Sequence, residues 1–377
     1  MKQDLKTEQL RQEYIRALSL LEVGELRRLF AACLLPQKPA GTTGEEQWLT
    51  FDRTTRRRIE AARRSASPGP AAWLAAVERL PHRLIRPPAL DAQRLGRLRL
   101  IWDSQISGLE EVYEALLIQT VNYTRTGQAR PLLLAGPPGC GKSTVSQVYA
   151  QMLGLPFYRI SCPHLGNGGG LAGDRAVYSG SSMGALMEGV CASGCGNPLF
   201  ILDEIDKVSS EGNSQNASFS SVLLNLLDGF AGQFRDVFLG FEADLSHAPF
   251  CLVANDPQNL PPALVDRCLM IRFPAPDPAQ MTHILDQFTL PRACRDRPDI
   301  SFCPDAARLM VEKGWPAGLR GARQYEALTT QLCGAAELEA LRAGSRVEIG
   351  PAQIQRALQA GASPRPRRAL GFADRTG

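Results

Sequence analysis

The sequence lacks the features that would indicate a membrane protein or a disulfide-stabilised secreted protein. No segment of its 377 residues approaches the apolar length that a membrane-spanning helix needs. The start of the chain, MKQDLKTEQLRQEYI, is charged and contains no apolar stretch of the signal-peptide type. Ten cysteines occur without repeated C-x-x-C pairs, which is typical of reduced, buried thiols. We therefore expect a soluble, cytoplasmic protein that makes no contact with a membrane.

The sequence also has little net charge, because the formal value of +4 is too small to indicate a nucleic-acid-binding protein. The positive charge is unevenly distributed, since twelve arginines lie between Arg53 and Arg99 against three acidic residues. The densest part of this stretch comprises Arg56, Arg57, Arg58, Arg63 and Arg64. These side chains either contact nucleic-acid phosphates or form a solvated helix face or an interface. Few aromatic residues are interspersed among them, and this favours the second interpretation.

A phosphate-binding loop is predicted within the segment LLLAGPPGCGKST, which runs from Leu132 to Thr144. Gly136, Gly141, Lys142 and Ser143 fit the pattern G-x-x-x-x-G-K-[ST], in which backbone N–H groups surround a polyphosphate. The lysine supplies positive charge to the β- and γ-phosphates, and the serine hydroxyl is a ligand for Mg²⁺. The complete predicted nucleotide-binding set is Gly136, Pro137, Pro138, Gly139, Cys140, Gly141, Lys142, Ser143 and Thr144.

A chance Gly-Pro turn is the alternative explanation of this segment, and its surroundings disfavour that alternative. A short apolar run of the buried-strand type precedes the loop, and apolar residues recur at helical spacing after it. The helix that follows would direct its positive N-terminal end at the bound anion. The segment therefore predicts a site for ATP with Mg²⁺.

Two acidic residues follow a second apolar run in the segment PLFILDEIDK, from Pro198 to Lys207. Asp203 and Glu204 would lie at the carboxyl end of a parallel strand, where open α/β sheets bind their ligands. We predict that Asp203 holds Mg²⁺ and that Glu204 orients and deprotonates the attacking water. Paired acids in this position also occur as a helix N-cap, but a phosphate loop some sixty residues earlier argues for the catalytic role.

Three further polar residues are candidates for the nucleotide site. Asn255 follows an apolar run and is predicted to contact the γ-phosphate or the attacking water. Arg267 precedes the last predicted strand; it either pairs with Asp266 at the surface or reaches the nucleotide of a neighbouring subunit. Arg320 stands at the start of a helix in GLRGAR, from which it could bend back to the phosphates.

The order of these segments predicts an α/β fold with a parallel five-stranded sheet. The predicted strands are Leu132–Ala135, Phe157–Ile160, Leu199–Leu202, Cys251–Ala254 and Leu269–Phe273. We expect residues 1–100 to form a helical, arginine-rich region, with a first helix over residues 1–35. Residues 101–275 would be the nucleotide-binding domain, 276–361 a small helical domain and 362–377 a flexible tail. The glycine-dense run from Gly166 to Gly173 is predicted to be a mobile loop.

With these motifs in this order, the chain resembles an AAA+ P-loop ATPase, and within that class the ATPase module of Lon proteases. GPPGCGKST, PLFILDEIDK, GLRGAR and FRDVFLGFEADLSHAPFCLVAND are similar to segments of that family, over about Ile106 to Ala360. The segment AVYSGSSMGALMEGV, from Ala176 to Val190, is similar to its substrate-gripping pore segment. The chain ends at Gly377, so we expect it to lack the family's serine–lysine protease domain.

This resemblance implies roles for individual residues and a ring of subunits. Asn255 would be the first sensor, Arg320 the second sensor and Arg267 a finger that acts on a neighbouring subunit, most simply within a hexamer. Tyr178 would face the central channel, although a tyrosine in a glycine-rich segment also serves to anchor a hairpin. The small domain from residue 276 would be the family's helical lid.

The function that follows is a ring ATPase that remodels, unfolds or translocates a protein substrate without protease activity of its own. One alternative is a nucleic-acid-dependent ATPase that uses the basic N-terminal region. Others are the ATPase half of a two-chain protease, with a separate protease or effector partner, and an ATP-switched scaffold.

Overall fold

The structure is a computed structural model, and it describes residues 49, 51–65, 67–165, 168–173, 182–208, 214–228 and 230–362. The predicted helix over residues 1–35, the predicted channel residue Tyr178 and the tail beyond residue 362 lie outside these described residues.

The described strands are β1 (Leu132–Ala135), β2 (Phe157–Ser161), β3 (Leu199–Asp203), β4 (Phe234–Arg235), β5 (Glu242–Ala243), β6 (Phe250–Ala254), β7 (Leu269–Arg272), β8 (Ile300–Phe302) and β9 (Val347–Ile349). The described α-helices are α1 (Arg53–Arg64), α2 (Pro68–Glu78), α3 (Ala92–Asp103), α4 (Glu110–Thr126), α5 (Lys142–Leu153), α6 (Gly168–Ala172), α7 (Ala185–Ser193), α8 (Ser214–Leu227), α9 (Pro262–Arg267), α10 (Pro278–Ile284), α11 (Leu290–Cys294), α12 (Ala306–Gly314), α13 (Ala322–Ala343) and α14 (Pro351–Ala362). Within the described residues, no helix has the length and apolar character that a membrane crossing requires.

A parallel five-stranded sheet forms the centre of the molecule, with the strand order β2-β3-β6-β1-β7, and this confirms the predicted fold class. β1 lies between β6 and β7, so Leu133 is level with Leu252 on one side and Met270 on the other. All four residues of β1 are buried, and so are all five of β6, because helices cover both faces of the sheet. This burial explains why the strands appear in the sequence as continuous apolar runs.

The two faces of the sheet belong to two hydrophobic clusters. Leu133, Phe200 and Leu252 point into the first cluster. Leu132 and Ile201 point into the second, together with helices α3, α4 and α5. Because side chains alternate along a strand, β1, β3, β6 and β7 each contribute to both clusters and so connect the two layers of helices.

The N-terminal helices that the structure describes pack on this α/β core. Trp73 and Val77 of α2 are buried in the same cluster as Phe200 of the sheet. The indole N–H of Trp73 donates a hydrogen bond to the carbonyl oxygen of Leu239, at 3.0 Å. Helix α3 runs continuously across the boundary predicted at residue 100. Residues 49–100 therefore share their hydrophobic core with the nucleotide-binding domain.

The glycine-dense run from Gly166 to Gly173 contains structure where a mobile loop was predicted. Helix α6 covers Gly168–Ala172, and Leu171 is completely buried. A Cβ atom on Gly170 would lie 2.6 Å from the carbonyl oxygen of Leu165. The absence of a side chain at Gly170 thus permits close backbone packing, and the prediction of a mobile loop is wrong for the residues described here.

A small helical domain follows β7 and has a hydrophobic core of its own. Met281, Met310, Tyr325 and Ile354 are completely buried in this third cluster. A π-helical turn at Leu285–Thr289 joins α10 to α11. The short parallel strands β8 and β9 pair at the edge of this domain, which we call the lid.

The shared core predicts that a substitution in α2 destabilises the nucleotide-binding domain. Trp73→Ala should lower the free energy of unfolding by about 3–5 kcal/mol, because it removes a large buried side chain. Denaturant unfolding monitored by circular dichroism measures the change. Leu341→Ala is the control, since Leu341 is 77% exposed and its loss should have little effect. Two separate transitions, with the larger one unshifted, would show that residues 49–100 fold independently.

Candidate functional site

The phosphate loop connects β1 to α5 at the carboxyl edge of the sheet. Gly136 begins the loop, and its N–H donates to the carbonyl oxygen of Ala254 at 3.3 Å. A Cβ atom on Gly136 would lie 2.5 Å from the carbonyl oxygen of Phe273, so only glycine fits between β6 and β7. Gly141 caps α5 with φ +93°, a backbone conformation that glycine adopts without strain. These glycines leave the loop's backbone open to a bound anion.

Lys142, the first residue of α5, directs its ammonium group into the loop. Its Nζ donates to the carbonyl oxygens of Gly136 and Pro137, at 2.6 and 2.8 Å, and the side chain is almost completely buried. The Sγ of Cys140 lies 3.7 Å from the same nitrogen, and burial raises the pKa of this thiol. The lysine thus provides a positive charge at the centre of the loop.

Asn255 lies beside this lysine because β6 is the neighbour of β1. Its amide oxygen accepts a hydrogen bond from Lys142 Nζ, at 3.1 Å. The backbone N–H of the next residue, Asp256, donates a hydrogen bond to a carboxylate oxygen of Asp206 at 3.2 Å. The structure therefore brings the predicted first sensor into direct contact with the phosphate loop.

Asp203 and Glu204 follow β3, with side chains that point to different partners. One carboxylate oxygen of Asp203 accepts from Glu204 N–H at 2.9 Å, and the other pairs with Arg159 Nη2 at 3.0 Å. Glu204 has φ +55°, an unusual value for a residue with a side chain, and its carboxylate pairs with Lys207 Nζ at 2.7 Å. Sequence reasoning missed Arg159, and a charged residue inside a predicted strand was the signal for it.

Arg267, at the end of α9, pairs with Asp228. Its Nε and Nη2 both bond to the carboxylate, the latter at 2.6 Å, and Nη1 bonds to the carbonyl oxygen of Ala263. This bidentate pair lowers the pKa of Asp228 and raises the pKa of Arg267. The alternative, drawn from the sequence, that Arg267 pairs with Asp266 is wrong. Its partner is Asp228, which follows α8 and which the sequence did not indicate.

The lid touches the phosphate loop at the start of α13. Ala322 N–H donates to the carbonyl oxygen of Gly139, at 3.2 Å. A Cβ atom on Gly321 would lie 3.1 Å from the carbonyl oxygen of Pro138. Arg320 immediately precedes this contact, but its guanidinium group lies over the ring of Trp315, 4.6 Å from the centroid. The structure therefore places Arg320 near the loop without bringing its charge into the loop.

The residues around the loop fit a nucleotide with Mg²⁺. Ser143 is half-buried in the first turn of α5, and Thr144, the next residue, is exposed. The hydroxyl of Ser143 and a carboxylate of Asp203 are the hard oxygen ligands that Mg²⁺ prefers. Across the described parts of the chain, no three His, Cys, Asp or Glu side chains are grouped so that they alone could hold a metal ion. This arrangement suits Mg²⁺, which commonly takes most of its ligands from phosphate and water.

Many arginines of the N-terminal region bind groups of the same chain. Arg58 donates to the carbonyl oxygen of Leu239 and lies 4.0 Å over the ring of Trp73. Arg94 is buried and donates to the carbonyl oxygen of Met152 at 3.2 Å. Ion pairs also join Arg63 to Glu78, Arg64 to Glu60, Arg79 to Glu188, and Arg99 to Asp103 and Glu110. These contacts favour the interpretation of the arginines as structural residues.

Comparison with known proteins identifies similar sequences over this region. Residues 132–275 match the family described as "ATPase family associated with various cellular activities (AAA)". The chain is 32% identical over 239 residues to a Lon protease of Endomicrobium trichonymphae, covering 61% of this chain and 29% of that protein. It is 33% identical over 234 residues to a Lon protease of Syntrophus aciditrophicus, covering 59% and 28%. The matched region thus spans less than a third of these relatives.

Among solved structures, the chain is similar to the Thermotoga maritima RuvB Holliday junction branch migration motor. The sequence identity is 17% and the TM-score is 0.43, with 67% of this chain and 69% of that chain covered.

The contacts of Lys142 predict the effect of removing its charge. Lys142→Ala should weaken binding of Mg²⁺-ATP by about tenfold or more, because charge-assisted hydrogen bonds to the phosphates are lost. Titration with a fluorescent ATP analogue measures the affinity. Lys313→Ala is a matched control, since Lys313 is an exposed lid lysine that bonds to Gln355. Equal affinities of the Lys142→Ala variant and the unmodified chain would contradict the assignment.

Proposed function

We propose that residues 132–275, an ATPase module of the AAA family similar to that of Lon proteases, drive remodelling, unfolding or translocation of a protein substrate. In this proposal the chain acts as a ring of identical subunits, most simply a hexamer. It uses ATP with Mg²⁺.

The observation that carries this proposal is the meeting of three parts of the chain at the phosphate loop. Lys142 of the loop bonds to Asn255 of the sheet edge, and Gly139 of the loop bonds to Ala322 of the lid. Phosphates held by the loop would therefore be in contact with both the sheet and the lid. Turnover of ATP would change the contacts of the lid, and a moving lid is how a subunit of a ring could do mechanical work.

Each residue at the carboxyl edge of the sheet has a separate role in ATP hydrolysis in this proposal. Lys142 and the loop's backbone N–H groups bind the phosphates and stabilise the charge that develops on them. Ser143 and Asp203 would hold Mg²⁺, which would neutralise negative charge on the phosphates. Glu204 accepts a proton from the attacking water, and Asn255 orients that water or the γ-phosphate.

The two arginines complete the site in this proposal. Arg320 would leave Trp315 and contact the phosphates of its own subunit, to which the lid contact at Gly139 brings it close. Arg267 would act on the nucleotide of the adjacent subunit. Its terminal Nη1 and Nη2 atoms are the fork that binds phosphate in a bidentate manner. This role requires a ring, because the acceptor site belongs to another copy of the chain.

The similarity to proteins named Lon protease supports a protein substrate. Tyr178 would grip that substrate in the channel; it lies outside the described residues, so its role is proposed from sequence alone. A separate protease or effector chain, and a cytoplasmic location, are also parts of the proposal that rest on the resemblance. The nucleic-acid-dependent alternative is less favoured, because so many of the N-terminal arginines already bind the chain's own groups.

Steady-state ATP hydrolysis tests the substrate class. β-Casein, an unfolded polypeptide, should stimulate hydrolysis, and single-stranded oligothymidylate should not. Glu204→Gln should lower the rate by about 10²–10⁴-fold while ATP still binds, since the amide cannot accept the proton from water. Stimulation by oligothymidylate alone, with a steep salt dependence, would instead support the nucleic-acid alternative.

Mixing two inactive variants tests whether Arg267 acts between subunits. Arg267→Ala should lower hydrolysis by about 10³–10⁵-fold, the loss typical of such arginines, with ATP binding retained. Mixed rings of this variant and Glu204→Gln contain some interfaces with both native residues, so the mixture should regain activity. Arg308→Ala, which removes another exposed arginine paired with an acid, is the control for each step. A mixture as inactive as its components would indicate that the finger does not act in trans.

A further inference from the structure

Gly173 and Gly184, which lie before and after Tyr178 in the sequence, meet at a single point in the structure. Gly173 follows α6, and Gly184 caps the start of α7. A Cβ atom on Gly184 would lie 2.1 Å from the carbonyl oxygen of Leu171 and 2.5 Å from the backbone nitrogen of Gly173. Gly184 therefore lies beside Leu171 and Gly173, with backbone packed against backbone.

Asp236, just after β4, binds at this meeting point. It is completely buried, and its carboxylate accepts hydrogen bonds from Gly184 N–H at 2.8 Å and from Leu239 N–H at 2.9 Å. A Cβ atom on Gly173 would lie 3.0 Å from the same carboxylate. The next residue, Val237, donates its N–H to the carbonyl oxygen of Ala172 at 2.7 Å. The turn between β4 and β5 thus binds the chain both at Ala172 and at Gly184.

The carboxylate of Asp236 is in an unfavourable place for a charge. Burial raises its pKa, and backbone hydrogen bonds from Leu239, Gly184 and Phe238 act in the opposite direction. Over the described ranges, no arginine or lysine forms an ion pair with it. Burying a carboxylate whose charge is compensated only by backbone N–H groups costs folding free energy. We therefore attribute to Asp236 the role of fixing those N–H groups in position.

The same turn is tied to the N-terminal helices. The carbonyl oxygen of Leu239 accepts from Trp73 Nε1 at 3.0 Å and from Arg58 Nη1 at 3.2 Å. Leu239 therefore bonds to Asp236 through its N–H and to helices α1 and α2 through its carbonyl group. A continuous set of hydrogen bonds runs from the N-terminal helices to the cap of α7.

We propose that Asp236 is a positioning residue for substrate handling, which fixes the ends of the chain at Gly173 and Gly184 against the β4–β5 turn and the N-terminal helices. The proposal rests on the proposed function, because it assumes that the predicted pore segment, from Ala176 to Val190, contacts a protein substrate. The donors to Asp236 named above are Gly184, the cap of α7, and Leu239, in the turn. Neither of these residues belongs to the nucleotide site. Loss of the carboxylate should therefore affect the response to substrate and leave basal hydrolysis intact.

Asp236→Asn tests this role with little change of shape. The amide oxygen still accepts one N–H, but the NH₂ group faces the other donor, so one hydrogen bond is lost. The variant should fold, since it removes the burial of a charge. Asp277→Asn is the matched control, because Asp277 also accepts a backbone N–H, from Gln280 in the lid at 2.7 Å.

Two measurements on the full chain separate positioning from a general loss of stability. Hydrogen exchange at Gly184 or Leu239 should accelerate by about tenfold or more, whereas exchange in the lid should not change. The apparent KM for β-casein stimulation of ATP hydrolysis should rise by about tenfold, with basal kcat unchanged. Asp277→Asn should behave as the unmodified chain in both measurements.

Each other result overturns the proposal. Unchanged exchange at both amides would mean that the carboxylate does not hold these ends. Faster exchange with an unchanged KM would mean that it holds them without a role in substrate handling. If β-casein fails to stimulate even the unmodified chain, the proposed function itself fails, and with it the positioning role. That failure is identified in the unmodified chain, before any variant is compared.

Discussion

The buried ammonium group of Lys142 is the interaction on which the rest of the site depends. A charge that is almost completely buried needs oxygen partners, and these come from the loop backbone and from Asn255. Asn255 can supply its amide only because β6 is the neighbour of β1 in the sheet. The same loop receives the lid at Gly139. The hydrogen bonds of Lys142 thus depend on both the strand order and the loop conformation, and the lid contacts the same loop.

The other charged groups of the site are also paired within the chain. Asp203 binds Arg159, Glu204 binds Lys207 and Arg267 binds Asp228. Each pair is at least partly exposed, so each contributes little stability and can be exchanged for another partner at small cost. In the proposed function, binding of nucleotide and assembly of subunits would proceed by such exchanges. The resting pairs would keep the side chains near their working positions without fixing them there.

The sequence was sufficient to predict the five strands, because a parallel sheet covered on both faces consists of short apolar runs. It also predicted that polar residues after those runs gather at one edge. It could not pair Arg159 with Asp203, Asp228 with Arg267 or Asp236 with Gly184, because these partners are distant along the chain and follow no periodic pattern. The glycine-dense run was misjudged for a related reason, since Gly170 serves close packing against Leu165, and composition alone does not distinguish packing from mobility.

The central proposal is that this ATPase completes its site only between subunits, and the mass of the assembly tests that claim most directly. Mass photometry of the Glu204→Gln chain with Mg²⁺-ATP would measure it, because this variant should retain the nucleotide. A closed or nearly closed ring, most simply six times the mass of 41.0 kDa, is the predicted result. A monomer at saturating ATP would contradict it, since Arg267 would then have no neighbouring nucleotide to reach.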